Sequence, residues 1–151
     1  RHPGSTRCPA TRLFGAGLGG KRRAARRIYV VSGMFGLIAG NTLIPNYKLP
    51  MNSWLARYWL ECNTERLGNF RGSKTVLSLL PKSYSRAIGM DGAIHVRFKV
   101  GGGRKLAGHF GKSIKGRFVR FLVENDIRSV KDFDGFEEDG FRFDGEDFIQ
   151  G

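Results

Sequence analysis

Apolar residues along this chain recur with two periods, and several of the periodic stretches are closed by glycine, proline or an Asp-Gly pair. From Lys112 to Asn125 the period is helical. Ile114, Phe118, Phe121 and Leu122 fall at i, i+4, i+7 and i+8, Val119 and Val123 widen the arc, and Ser113 is placed to cap the N-terminus. Ile28-Tyr29-Val30-Val31 is a β-branched run that stops at Ser32-Gly33, as a buried strand does, and Thr75 to Leu80 is a second, stopped by Pro81. Met34 to Ile38 reads as a short helix or turn, Ile44 to Met51 as an extended loop set by two prolines, and Trp54 to Leu60 as a helix with Trp, Tyr and Leu to bury. Ile94 to Val100 reads as the first strand of a β-hairpin, joined through Gly101-Gly102-Gly103 to Lys105 to Phe110. In it His95, Arg97 and Lys99 alternate against Ile94, Val96, Phe98 and Val100, so its polar face is basic. Asp134-Gly135, Asp139-Gly140 and Asp144-Gly145 break the Phe-rich tail into hairpin-sized pieces. Strands and helices interleave, so the expected fold is α/β, a mixed sheet with packed helices in a single domain.

Two segments stand outside that pattern. Residues 1–27 form a Gly- and Arg-rich arm with no acidic residue and no apolar period, expected to be poorly ordered; residues 28–151 form the α/β domain with an acidic hairpin tail. The arm contains Gly15-Ala16-Gly17-Leu18-Gly19-Gly20-Lys21, which satisfies GxGxxG and part of a P-loop. Context defeats the match, because Thr11-Arg12-Leu13-Phe14 is a poor strand and Arg22 stands where a Ser or Thr would hold magnesium. Lys21, Arg22, Arg23, Arg26 and Arg27 read instead as a basic arm. Charge is strongly polarised. Residues 1–123 hold 23 Lys/Arg against 3 Asp/Glu and residues 124–151 hold 3 against 10, for a net +13. With a pI near 10.5, that is the electrostatic footprint of a nucleic-acid binder. An anionic membrane would fit the charge alone, but the longest apolar run, Ile28 to Gly40, is interrupted and far below the ~20 residues of a spanning helix. Cys8 and Cys62 lie 54 residues apart without a CxxC, which argues against a zinc site and a disulfide scaffold and for a reducing compartment, hence the cytoplasm.

The candidate chemistry gathers around the helix. Gly108, His109, Gly111 and Ser113 precede its expected first turn, where free N–H groups favour an anion, with Lys112 and Lys115 beside them. Its uncovered strip is Gly116, Arg117, Arg120 and Glu124. A mid-helix glycine costs about 1 kcal/mol, which a close approach by a DNA backbone would offset. The competing reading is that Arg120 pairs with Glu124 at i, i+4 and that Gly116 admits a neighbouring helix. The leading expectation is sequence-tolerant DNA binding, lysines and arginines meeting phosphates. The alternative is an enzyme acting on a nucleotide or nucleic acid with His109 as acid or base, although His109 has no identifiable partner in the sequence. No catalytic residue is assigned, and no metal or cofactor is expected.

Five blocks in order carry a resemblance. Ser32-Gly33-Met34-Phe35-Gly36-Leu37-Ile38, Ile44 to Met51, Ser78-Leu79-Leu80-Pro81-Lys82-Ser83-Tyr84, the Lys112 to Asn125 helix, and Asp139-Gly140-Phe141-Arg142-Phe143 resemble the peroxide stress resistance protein YaaA family. The resemblance covers roughly Arg27 to Ile149, the C-terminal half to two-thirds of a typical member. The N-terminal strand and Ser-Pro-Ala-Lys-like motif of the family are missing here, and the connection from Met51 to Val76 is shortened. The resemblance implies a mixed α/β fold and DNA binding through a helix-hairpin-helix-like element and a positive cleft. It also implies a role in limiting oxidative DNA damage and free iron. By motif position it places Lys112, Lys115, Arg117 and Arg120 in that cleft, with Lys48, Lys82 and Tyr84 as further contacts.

Overall fold

The computed structural model describes residues 27–106 and 108–151; the basic arm and its glycine motif lie outside the described residues except for Arg27. Helices and small sheets alternate along the chain, so the fold is α/β as expected. It groups into two compact units, one of residues 27–76 with Leu80–Gly92 and one of Leu77–Leu79 with Ala93–Gly151.

The first unit opens with an antiparallel hairpin, β1 (Tyr29–Ser32) against β2 (Gly36–Ala39), in register from Tyr29↔Ala39 to Ser32↔Gly36. The expected helix or turn at Met34 to Ile38 is therefore a turn followed by a strand. Ser32 closes it, its Oγ accepting from the backbone N–H of Met34 at 3.2 Å and of Phe35 at 3.0 Å. Gly36 sits at φ +67°, and a Cβ there would lie 2.6 Å from both Asn63 Oδ1 and Trp59 Cε3, so no larger residue fits. Helix α1 (Ser53–Arg71) is capped by Asn52, whose side chain accepts from Leu55 N at 2.9 Å, and it ends at Gly72 with φ +52°. It runs eleven residues past the expected end because its outer face is polar, which dilutes the apolar period without breaking the helix. Leu55, Ala56, Trp59, Cys62, Asn63 and Leu67 form its buried face, packed with Val31, Leu37, Met51, Ala87 and Ile88.

Asn63 is fully buried and its amide is used at both ends. Oδ1 accepts from Leu37 N at 2.6 Å and Nδ2 donates to Ala87 O at 2.9 Å, tying β2 to the segment after α2 (Lys82–Ser85). Trp59 Nε1 donates to Gly33 O at 2.9 Å. Trp54, expected in the core, is 63% exposed and stacks on Tyr58 with centroids 5.5 Å apart. Cys62 is disulfide-bonded, which corrects the expectation of a reduced thiol.

The second unit contains β3 (Leu77–Ser78) paired in parallel with β4 (Ile94–His95). Its four-stranded sheet has the order β6-β5-β8-β7, from β5 (Phe98–Val100), β6 (Arg104–Lys105), β7 (Phe141–Phe143) and β8 (Phe148–Gln150). The outer pairs are antiparallel, while β5 and β8 run parallel with Phe98 opposite Phe148. The expected hairpin is thus shorter than its pattern: its return strand ends at Lys105, and helix α3 (Gly108–Glu124) takes over. Against the sheet lies a core of Val96, Ile114 and six phenylalanines, Phe98, Phe118, Phe133, Phe136, Phe141 and Phe148. Phe98 stacks on Phe148 at 4.8 Å and meets Phe118 edge-on at 5.8 Å, and such pairs add roughly 0.5–1.5 kcal/mol each beyond burial. The acidic tail is more than a solvated hairpin, since Phe141 and Phe148 are fully buried. At Asp139-Gly140 both residues have positive φ, +50° and +77°, a type I′ turn closing the Glu138↔Phe141 bridge.

Candidate nucleic-acid interface

Helix α3 starts at Gly108, five residues before the expected cap, so Gly108, His109 and Gly111 lie in its first turn and Ser113 sits in the second without capping it. The extension has two causes. Phe110 reaches Phe141 of the tail with centroids 6.2 Å apart, and Gly111 is small enough to lie against Leu106, where a Cβ would sit 3.3 Å from the leucine Cβ. Ile114 and Phe118 are fully buried, Phe121 and Leu122 half-buried, and Gly116, Arg117, Arg120 and Glu124 stay exposed, the strip the periodicity predicts; Lys112 and Ser113 are exposed too, and so is Val123, expected in the buried arc. His109 is exposed, and among the described residues it makes no hydrogen bond.

The cations of that strip fare differently. Lys115 is drawn inward, its Nζ donating to Leu79 O at 2.8 Å, and burial pushes its ammonium below the usual lysine value. Arg120 Nε pairs with Glu124 Oε1 at 2.7 Å, the i, i+4 alternative. Arg117 Nη1 meets Glu138 Oε2 at 3.0 Å and Asp139 Oδ2 at 2.6 Å. Lys112, like Lys115, has no ion pair among the described residues, and its side chain stays exposed. Among the described residues nothing lies within 4 Å of a Cβ built on Gly116, so none of their helices packs there and the flank is open toward them.

The basic face of β5 is answered in the same way. Arg97 Nε lies 2.7 Å from Asp147 Oδ1 and its Nη2 3.0 Å from Glu146 Oε1, while Lys99 pairs with Asp147. Burial pushes the Asp147 carboxyl up, but hydrogen bonds and charge from Lys99 and Arg97 outweigh it, and the group sits below the ordinary aspartate value. Asp144 is lowered by the backbone N–H groups of Asp147 and Glu146. Across the second unit eleven Lys/Arg face ten Asp/Glu, a net +1. From residue 27 onward the first unit has eight against three, a net +5.

In the first unit Lys48 and Tyr84 come together. With Tyr47, Leu49 and Pro50 they line an open depression of about 300 Å³. The Tyr47 hydroxyl is hydrogen-bonded to Ser32 Oγ and its ring stands edge-on to Phe35 at 5.4 Å, so the wall is fixed from behind. Lys82, two residues before Tyr84 at the start of α2, is exposed. The sequence-derived candidates therefore fall in both units, Lys48, Lys82 and Tyr84 in the first and the α3 residues in the second. Sequence reasoning missed the carboxylates that hold Arg97, Lys99 and Arg117. The only signal was the opposite charge of the tail.

The family described as Peroxide stress protein YaaA matches residues 19–147. The chain belongs to the YaaA family. A UPF0246 protein of Streptomyces coelicolor is 35% identical over 114 residues, covering 68% of this chain and 44% of that protein. The UPF0246 proteins of Ligilactobacillus salivarius and of Ruegeria sp. are 26% and 29% identical over 137 and 144 residues, covering 81% and 83% of this chain and 55% and 57% of theirs. This YaaA-family chain thus spans about half the length of the curated relatives it matches. Among its described residues no helix is long and apolar enough to cross a membrane.

Proposed function

We propose that this YaaA-family chain serves the peroxide stress response by binding the phosphate backbone of DNA without reading its sequence. The observation that supports the reading is that exposed lysines are left without an ion pair among the described residues, among them Lys48 and Lys82 in the first unit and Lys112 in the second, the three that stand at positions singled out by the family resemblance. A lysine with no carboxylate to release meets a phosphate at no exchange cost and frees a counterion. Beside Lys112 on its helix face, Gly116 leaves open space at which a sugar-phosphate chain can approach the helix backbone. Lys48 stands at a depression walled by Tyr47 and Tyr84, against which a sugar or base can rest. Bound protein would shield the covered DNA from oxidants; no residue is assigned a role toward iron.

Fluorescence anisotropy with duplex DNA across a salt series tests this. Replacing Lys48, Lys82 and Lys112 together by Ala is expected to weaken binding and flatten the slope of log affinity against log salt by about 3 units. An unchanged slope in the folded variant removes these lysines from the contact and the proposal with them.

A further inference from the structure

Among the described α3 cations, Arg117 is the one that meets two carboxylates from elsewhere in the chain. Glu138 Oε2 and Asp139 Oδ2 converge on its Nη1 at 3.0 and 2.6 Å. A phosphodiester offers a guanidinium the same thing, two anionic oxygens at hydrogen-bond distance. The segment that brings the carboxylates is built to hold its position. Asp139-Gly140 is the type I′ turn, Gln150 Nε2 donates to Asp139 O at 2.7 Å, and Phe141 beyond it is fully buried.

The pair is firm in place and weak in energy. Arg117, Glu138 and Asp139 side chains are 45%, 45% and 37% exposed, the setting in which ion pairs contribute little. The Asp147 pairs differ, because that carboxyl is 3% exposed, in the turn just before β8. Gly116, whose flank is open among the described residues, precedes Arg117 on the exposed strip of α3.

We infer that Arg117 is a phosphate subsite occupied by the protein's own Glu138–Asp139 turn, which DNA must displace to complete its contact with α3. The inference rests on the DNA-binding reading above and adds to it a built-in competitor. It adds a second α3 cation beside Lys112 to the contacts proposed above and makes the intrinsic affinity of the chain lower than its charge allows.

The test is Glu138→Gln with Asp139→Asn in the full chain. Asn-Gly keeps the type I′ turn, so the hairpin is preserved, and a thermal melt verifies it. Asp132→Asn with Asp134→Asn is the charge-matched control, and Arg117→Ala is combined with each. Anisotropy with one duplex across a salt series is expected to show binding strengthened by about two- to fivefold and the salt slope steepened by about 1 in the Glu138/Asp139 variant. The control is expected to show less, and Arg117→Ala to abolish the difference. An equal gain in the control, or a gain that survives Arg117→Ala, overturns the inference. Wild-type binding that the double change leaves unaltered overturns it alone, whereas no binding by any of the proteins at low salt overturns the DNA reading as well.

Discussion

The first unit centres its core on Trp59 and a buried asparagine and leaves eight Lys/Arg to face three Asp/Glu; the second fills its core with phenylalanine and sets eleven against ten. Both are basic in the sequence as a run of lysines and arginines, yet only the first keeps most of its surplus. In the second the tail returns over the sheet and the helix, and its carboxylates take up Arg97, Lys99 and Arg117. Net charge therefore locates a partner poorly. What decides is which cations the fold has already answered, and that depends on pairing between residues 21 to 50 positions apart.

The comparison can be broken hardest in the aromatic core. Phe118→Ala removes a ring with no exposure that touches Phe98, Phe133, Phe136 and Phe148, and is expected to cost about 3–5 kcal/mol in urea unfolding followed by far-ultraviolet circular dichroism. Both tryptophans lie in the first unit, so their fluorescence without denaturant is expected to stay unchanged; a red shift there would show the damage is not confined to the second. In the first unit the matching lesion is polar. Asn63→Ala strands Leu37 N–H and Ala87 C=O in the core and is expected to cost roughly 2–3 kcal/mol, whereas a loss under 0.5 kcal/mol would mean that water replaces the amide.

Asp147→Asn gives the smallest effect and the most informative pH profile. The folded carboxyl sits below its ordinary value, so its contribution is complete above about pH 4 and is lost as pH falls through the lower folded value. The variant is expected to be about 1–2 kcal/mol less stable at pH 7 and to converge on the wild type in acid. A gap that persists at pH 2 would assign the loss to packing instead of charge.

Much of this architecture was legible in the sequence where periodicity is strong. The buried stripe of α3 and its exposed strip follow from Ile114, Phe118 and Phe121, and β1 from its β-branched run. The start of α3 was not, because Phe110 is held by Phe141, 31 residues on, and no local pattern carries that contact. Strand β2 was hidden by its brevity and by Gly36, whose role appears only once Trp59 and Asn63 are packed over it. Lys48, Lys82 and Tyr84 were singled out through family resemblance, and the structure gathers Lys48 and Tyr84 at one depression. Lys115 reads as a free cation in the sequence and is a donor to the Leu79 carbonyl in the fold.

The parallel pairing of β5 with β8 sets an order of assembly. Phe98 cannot find its neighbour until Phe148 has been made, 50 residues later, and everything between, α3 included, must be threaded into the crossover. Such distant closure is slow, because chain entropy is lost before the contact rewards it. On the ribosome the second unit would wait with its phenylalanines uncovered until the last strand emerges. The charged residues that flank those phenylalanines in the tail then have a use during synthesis, keeping the unfinished sheet apart from other chains.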